Sequence, residues 1–236
     1  MCIAVTAASV SCAKHGPTEV SGTVSFSVAE NFLVADAVKS NVSVYTTLPS
    51  VADFNLKVTN ADGTSIYEGL LSGWDAEQVL PGGGYTAEVS YGAEGEEGFD
   101  KPYFAGSTDF SVVGATTVSV SAALANTIVK MSYSKAFTDY FSDYTMTVKT
   151  GNNFEISFPK DETRGAFVDA YKFTLSGTMT GQGGSVKTFS REFTDLEPQT
   201  CYTIALDVAN TGSNTITITF NDTVEVVELS DLELNE

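Results

Sequence analysis

Thr23-Val24-Ser25-Phe26-Ser27-Val28 decides the class of fold. Val24, Phe26 and Val28 face one way, and Ser25 and Ser27 face the other. A period of two with one apolar and one hydroxylic face is the pattern of a half-buried β-strand. The pattern recurs at Val42 and Val44, at Phe54, Leu56 and Val58, and at Val118 and Val120. It returns at Ile216, Ile218 and Phe220, which alternate with threonines. Val, Thr, Tyr and Phe favour the pleated backbone. Turn-forming runs punctuate the strands: Asn60-Ala61-Asp62-Gly63, Pro81-Gly82-Gly83-Gly84, Gly181-Gln182-Gly183-Gly184 and Asn221-Asp222. Short strands with frequent turns predict β-sandwiches.

Helical signal is confined to one place. Ser134 is a natural N-cap, and Phe137, Tyr140 and Phe141 share one face of a two-turn helix over 135–141. The chain also repeats a local phrase. Leu80-Pro81-Gly82-Gly83-Gly84-Tyr85-Thr86 and Leu196-Glu197-Pro198-Gln199-Thr200-Cys201-Tyr202-Thr203 both set Tyr-Thr four residues after a proline at a strand entry. Tyr85 and Tyr202 are therefore candidates for tyrosine corners, in which the hydroxyl bonds back to the preceding loop. Asp53 to Val58 and Asp143 to Val148 correspond in the same order. The reading is all-β: two tandem antiparallel sandwiches, Ig-like or transthyretin-like, with one short helix. The boundaries are a leader and tether at 1–19, an N-terminal sandwich at 20–123 and a C-terminal sandwich at 124–236.

Charge narrows the partners. The 236 residues hold 12 Lys and Arg against 30 Asp and Glu, a net charge of −18, with 42% hydrophobic residues. That apolar content fills a core. The acidity, spread through both halves, opposes binding to a phosphate backbone or electrostatic docking on an anionic membrane. His15 is the sole histidine, so triads and zinc sites that use imidazole are excluded from the rest of the chain. The cysteines, Cys2, Cys12 and Cys201, form no C-x-x-C pair. Cys201, at the entry to an apolar strand, reads as a small buried residue.

Ile3, Ala4, Val5, Ala7, Ala8 and Val10 read as the end of a secretory hydrophobic region. It lacks a basic start, so translation is expected to begin upstream. Ser9-Val10-Ser11-Cys12 resembles a lipobox, making Cys12 the expected site of lipidation and the mature N-terminus. A lipid there would tether the protein to a membrane without embedding it.

Three segments carry a family resemblance: Gly98-Phe99-Asp100-Lys101-Pro102-Tyr103-Phe104-Ala105-Gly106-Ser107, Leu124-Ala125-Asn126, and Phe137 through Val148. They resemble a domain-of-unknown-function family of β-sandwich lipoproteins from Gram-negative gut anaerobes, near the fimbrillin-like and cell-adhesion sandwiches. The resemblance implies an exported, lipid-anchored protein of the outer membrane, on its cell-surface or periplasmic face. It transfers no catalytic residue.

The loop from Gly92 to Gly106 holds the densest chemistry. Glu94, Glu96, Glu97 and Asp100 offer oxygens of the kind calcium takes. Tyr103 and Phe104 offer flat faces to a sugar, with Asp100 and Lys101 beside them. The same residues also fit a packing role, with Phe99, Tyr103 and Phe104 beneath a crossover and Lys101 paired to a carboxylate. Trp74, the single tryptophan, serves either as a ligand platform or in edge packing. Asp139, Asp143, Asp161, Glu162 and Asp169 are expected on solvated surface rather than as a paired-carboxylate centre. No catalytic residue, metal or cofactor is assigned. The expectation is a non-enzymatic envelope lipoprotein with a binding or adhesion role, its partner a glycan or a protein. The alternatives are a carbohydrate-binding lipoprotein for glycan capture and a fimbrial-type assembly subunit that shares its last strands, Thr215 to Phe220 and Thr223 to Leu229.

Overall fold

The structure, a computed structural model, describes residues 20–36, 39–169, 171–208 and 214–231. The leader and tether with Cys2, Cys12 and His15 lie outside the described residues, as do the last five residues. The N-terminal half runs through β1 (Ser21–Asn31), β2 (Asn55–Asn60), β3 (Ser65–Leu70), β4 (Val79–Pro81), β5 (Gly83–Tyr91), β6 (Gly98–Phe99), β7 (Phe104–Val112) and β8 (Thr116–Leu124). Seven of these form one sheet in the order β3-β2-β5-β7-β8-β1-β4. β7 pairs with β5 along its whole length but with β8 only through Phe104 and Ala105. The sheet therefore folds over at that corner. Val24, Leu80, Val118 and Val120 come from the β8-β1-β4 layer and meet Leu56, Val58, Ala87 and Val89 in one core. A side chain at Gly106 would put its Cβ 1.9 Å from the carbonyl oxygen of Ser121, so the corner closes only on glycine.

The C-terminal half adds β9 (Asn126–Tyr133), α1 (Lys135–Tyr140), β10 (Phe141–Thr150), β11 (Glu155–Pro159), β12 (Ala166–Asp169), β13 (Phe173–Gly181) and β14 (Val186–Phe193). It ends with β15 (Cys201–Asp207), β16 (Thr215–Phe220), β17 (Thr223–Glu228) and β18 (Ser230–Asp231). A five-stranded sheet, β11-β10-β13-β14-β18, faces a six-stranded one, β17-β16-β15-β9-β12-β6. Met146, Val148, Phe158, Phe173 and Leu175 from the first meet Val129, Val168, Ile204, Leu206 and Ile216 from the second. Full burial of each such side chain contributes about 1.5–3 kcal/mol.

The protein is all-β with one short helix, as its alternating patterns predict. Ser134 Oγ accepts the Phe137 N–H at 3.0 Å, and α1 stops at Tyr140 because Phe141 already extends into β10. Asn221 (φ 47) and Asp222 (φ 61) both take left-handed backbone, the two-residue turn that matches strand twist in the β16–β17 hairpin.

Three details differ from the sequence reading. Val42 and Val44 lie in a 3-10 turn, not a strand, because Asn41 Oδ1 accepts the Ser43 N–H at 2.9 Å and caps the turn. Each half contains one parallel pair, β1 with β8 and β9 with β15, among otherwise antiparallel ladders. Tyr85 and Tyr202 also stand on unlike strands. β2 pairs with β3 and β5, just as β10 pairs with β11 and β13, so the Phe54 and Tyr144 runs occupy equivalent places. Tyr85 opens β5, whereas Tyr202 lies in β15, whose counterpart is β8. The shared Pro-to-Tyr phrase is local chemistry at two different crossovers. Tyr85 Oη donates to the Pro81 carbonyl at 2.9 Å, and Tyr202 Oη accepts the Glu197 N–H at 3.1 Å.

Candidate functional site

The loop between β5 and β7 leaves the N-terminal half, touches the C-terminal half and returns. Gly92 (φ 82) starts the excursion; a Cβ there would sit 2.2 Å from the Pro102 carbonyl oxygen. Glu96 and Lys101 form an exposed ion pair at 2.8 Å, a contact of small net worth. Glu97 turns inward and is only 8% exposed. Its Oε2 accepts the Thr150 hydroxyl at 2.5 Å, and its Oε1 accepts the Asp169 N–H at 2.8 Å. Thr150 Oγ1 in turn accepts the Phe154 N–H at 3.1 Å. A buried carboxylate thus completes a chain of polar groups at the end of the second sandwich.

β6 follows at once. Phe99 pairs with Ala166 and Gly98 with Phe167, so two residues of the first half add a strand to the second half's sheet. The Phe99 ring meets Phe158 edge-on at 5.1 Å, and the Arg164 guanidinium lies 4.4 Å from its centroid. Arg164 also holds Glu162 through Nη2 at 2.8 Å and Nε at 3.1 Å, and reaches Asp100 through Nη1 at 3.2 Å. The Arg164 hydrogen bond is the main reason that the Glu162 carboxyl falls from 4.5 to about 2. The loop closes with the Tyr103 N–H donating to Asn126 Oδ1.

The proposed ligand residues therefore separate. Phe104 is fully buried, 4.9 Å from the Phe32 ring, and presents no face to a ligand. Asp100 pairs across the halves with Arg164, and Lys101 pairs with Glu96. Trp74 is no open platform either. Its Nε1 donates to the Val24 carbonyl at 2.7 Å, and Phe26 and Tyr67 pack edge-on against it at 5.1 and 5.3 Å. Of the four acids of the calcium reading, Glu96, Glu97 and Asp100 turn to different partners, and no metal-holding group of acids, histidines or cysteines exists among the described residues. Cys201 is buried beside Tyr45, and burial pushes its thiol up.

Of the five, Asp100 and Lys101 line a recess of about 300 Å³ at the loop itself, and Tyr103 reaches a larger one on the sheet. A trough of about 510 Å³ crosses the outward face of β3, β2, β5 and β7, lined by Asn55, Lys57, Glu68, Glu88, Ser90 and Tyr103. Burial, then Glu94 and Glu88, raises the Tyr103 phenol above its usual range, so it remains a protonated donor. The sequence hides the other residues of the trough. They are ordinary outward positions of alternating strands, and only strand pairing makes them neighbours.

The fold aligns with solved structures at low identity. A candidate polysaccharide-binding protein (DUF1812) from Bacteroides thetaiotaomicron shares 12% identity, with 89% of this chain and 99% of that one covered and a TM-score of 0.47. A candidate cell adhesion protein from Bacteroides ovatus shares 11%, covering 92% and 100%, with a TM-score of 0.45. The fimbrial anchor protein Mfa2 from Porphyromonas gingivalis shares 12%, covering 84% and 98%, with a TM-score of 0.39. No curated protein matches the chain. The model of the family described as Domain of unknown function (DUF4493) matches residues 21–231, and the chain belongs to that family.

Proposed function

We propose that this chain is a non-enzymatic lipoprotein of the outer membrane that acts by binding or adhesion, anchored by acylation of Cys12. Residues 1–19 are leader and tether, and 20–123 and 124–236 are its two sandwich domains. The observation that carries the reading is the use of the Gly92–Gly106 loop. Its Glu97 and Asp100 join the two halves, and this ties the loop beside the outward sheet face, leaving the trough as a preformed, accessible surface. A preformed face binds without a large ordering cost. The acidic body stays off anionic lipid while the acyl chain holds it near.

Cells making the wild-type chain should adhere to plates coated with mucin or plant cell-wall material and should incorporate a fatty-acid probe into the protein. Cys12→Ala should abolish both. Labelling that survives Cys12→Ala refutes the anchor; adherence no better than that of cells lacking the chain refutes the role.

Strand-sharing assembly is a second reading, favoured by β17. This strand ends its sheet, paired through β16, with Val224 63% and Val226 62% exposed. Assembly on that edge predicts detergent-resistant ladders that Val226→Lys abolishes. Ladders unchanged in that variant would remove this reading.

A further inference from the structure

We propose that the trough on the outward face of β3, β2, β5 and β7 binds an uncharged glycan, with Tyr103 as its ring platform and Asn55, Lys57, Glu88 and Ser90 as its hydrogen-bonding groups. The proposal rests on the binding role above and assigns its ligand class.

Strand register builds the recess. Leu70, Asn55, Ser90 and Ala105 stand side by side across the four strands. The next outward row is Glu68, Lys57, Glu88 and Ser107. Small Ser90 and Ala105 make a low floor, and the long side chains of the second row make a wall. Tyr103, two residues before Ala105, closes the other side. The volume of about 510 Å³ falls within the ~300–1,000 Å³ of ligand sites.

The chemistry selects the occupant. A sugar hydroxyl donates and accepts at once, so it suits a recess where an amide, an ammonium, a carboxylate and a hydroxyl lie together. The C–H face of a pyranose suits one aromatic ring. Lys57 is the only cation of the lining and already lies 3.7 Å from Glu88. Glu68 and Glu88 leave the recess net negative in a chain of charge −18. That field repels uronic, sialylated or sulfated glycans and leaves neutral ones.

Affinity electrophoresis of the full chain tests this directly. Gels containing galactomannan, xyloglucan or soluble starch should retard the wild type in at least one case. Gels of polygalacturonate or chondroitin sulfate should not. Tyr103→Ala removes the platform, and Ser90→Arg fills the floor while removing only a hydroxyl; each should weaken retardation by about tenfold or more. Phe154→Ala, on the other half, should leave it unchanged, and wild-type Trp74 emission should report intact folding in all three. Preferential retardation by the anionic gels, retention in Ser90→Arg equal to wild type, or unaltered mobility in every neutral gel overturns the proposal. Should cells still adhere, undiminished by Ser90→Arg, while no neutral gel retards the protein, the ligand class falls and the adhesive role stands. Should neutral gels retard the protein while cells fail to adhere, the role falls and the trough stands.

Discussion

Without the Glu97 carboxylate, the Thr150 hydroxyl and the Asp169 N–H would face each other's sheet with no acceptor. Each buried group left unpaired costs about 1–3 kcal/mol, so Glu97→Ala should lower stability by roughly 2–4 kcal/mol in a urea titration. Glu97→Gln keeps one acceptor and should cost less. Equal midpoints for the wild type and Glu97→Ala would show that water replaces the carboxylate. Glu162 carries a pH signature instead. Its folded carboxyl lies at about 2 against an ordinary 4.5. A depressed value means that its stabilising contribution is complete above 4.5 and fades as pH falls toward 2. Arg164→Ala removes the hydrogen bond that causes the shift. The variant should be less stable than the wild type at pH 6, and the gap should narrow between pH 4.5 and 2. A gap constant across that window would contradict the assignment.

Strands and turns obey tighter rules than charges do. Gly106→Ala forces a Cβ to 1.9 Å from the Ser121 oxygen where β7 and β8 cross. Overpacking of that kind costs about 1–3 kcal/mol, and the melting temperature should fall accordingly. Asp222→Gly relieves left-handed strain in the β16–β17 turn and should add about 0.5 kcal/mol, read as a higher urea midpoint. These elements show what a sequence discloses. Alternation gives each strand and its buried face, because side chains alternate whatever lies next door. Val24, Leu56, Val58, Val118, Ile216 and Ile218 are all buried as their spacing predicts. Partners are another matter: nothing in β1 announces a parallel neighbour in β8, since pairing is fixed by distant segments. The two residues of β6 are too few to show a period. Glu97 looks like any acid in an acidic chain, and only its place in the fold makes it structural. For the same reason the sequence singles out Tyr103 within its loop, but not Asn55 and Ser90, which line the same trough.

The two cores of the molecule share a wall. Phe167, Ile128 and Cys201 form a cross-strand row on β12, β9 and β15, yet all three pack into the core of the N-terminal half. Their neighbours Val168, Val129 and Tyr202 face the other core. One stretch of sheet is thus buried on both faces, so neither half presents a solvated surface there. Ala35 adds a bridge to Thr200: its N–H donates to the Gln199 carbonyl, and its own carbonyl accepts from Cys201, both at 2.8 Å. Separation of the halves would expose this row, unpair β6 from β12 and strand Glu97, a cost of the same order as the ~5–15 kcal/mol stability of a whole domain. The halves should therefore unfold together. Trp74 lies in the N-terminal half and reports on it alone, whereas far-UV circular dichroism reports on both. In the wild type the two signals should follow one urea curve. Phe167→Ala, in the C-terminal sequence, opens a cavity in the N-terminal core and should cost about 3–5 kcal/mol. Its Trp74 transition should therefore move to lower urea at least as far as the dichroism does. A Trp74 curve unmoved by Phe167→Ala, while the dichroism shifts, would mean that the shared wall transmits nothing and that the halves are mechanically independent.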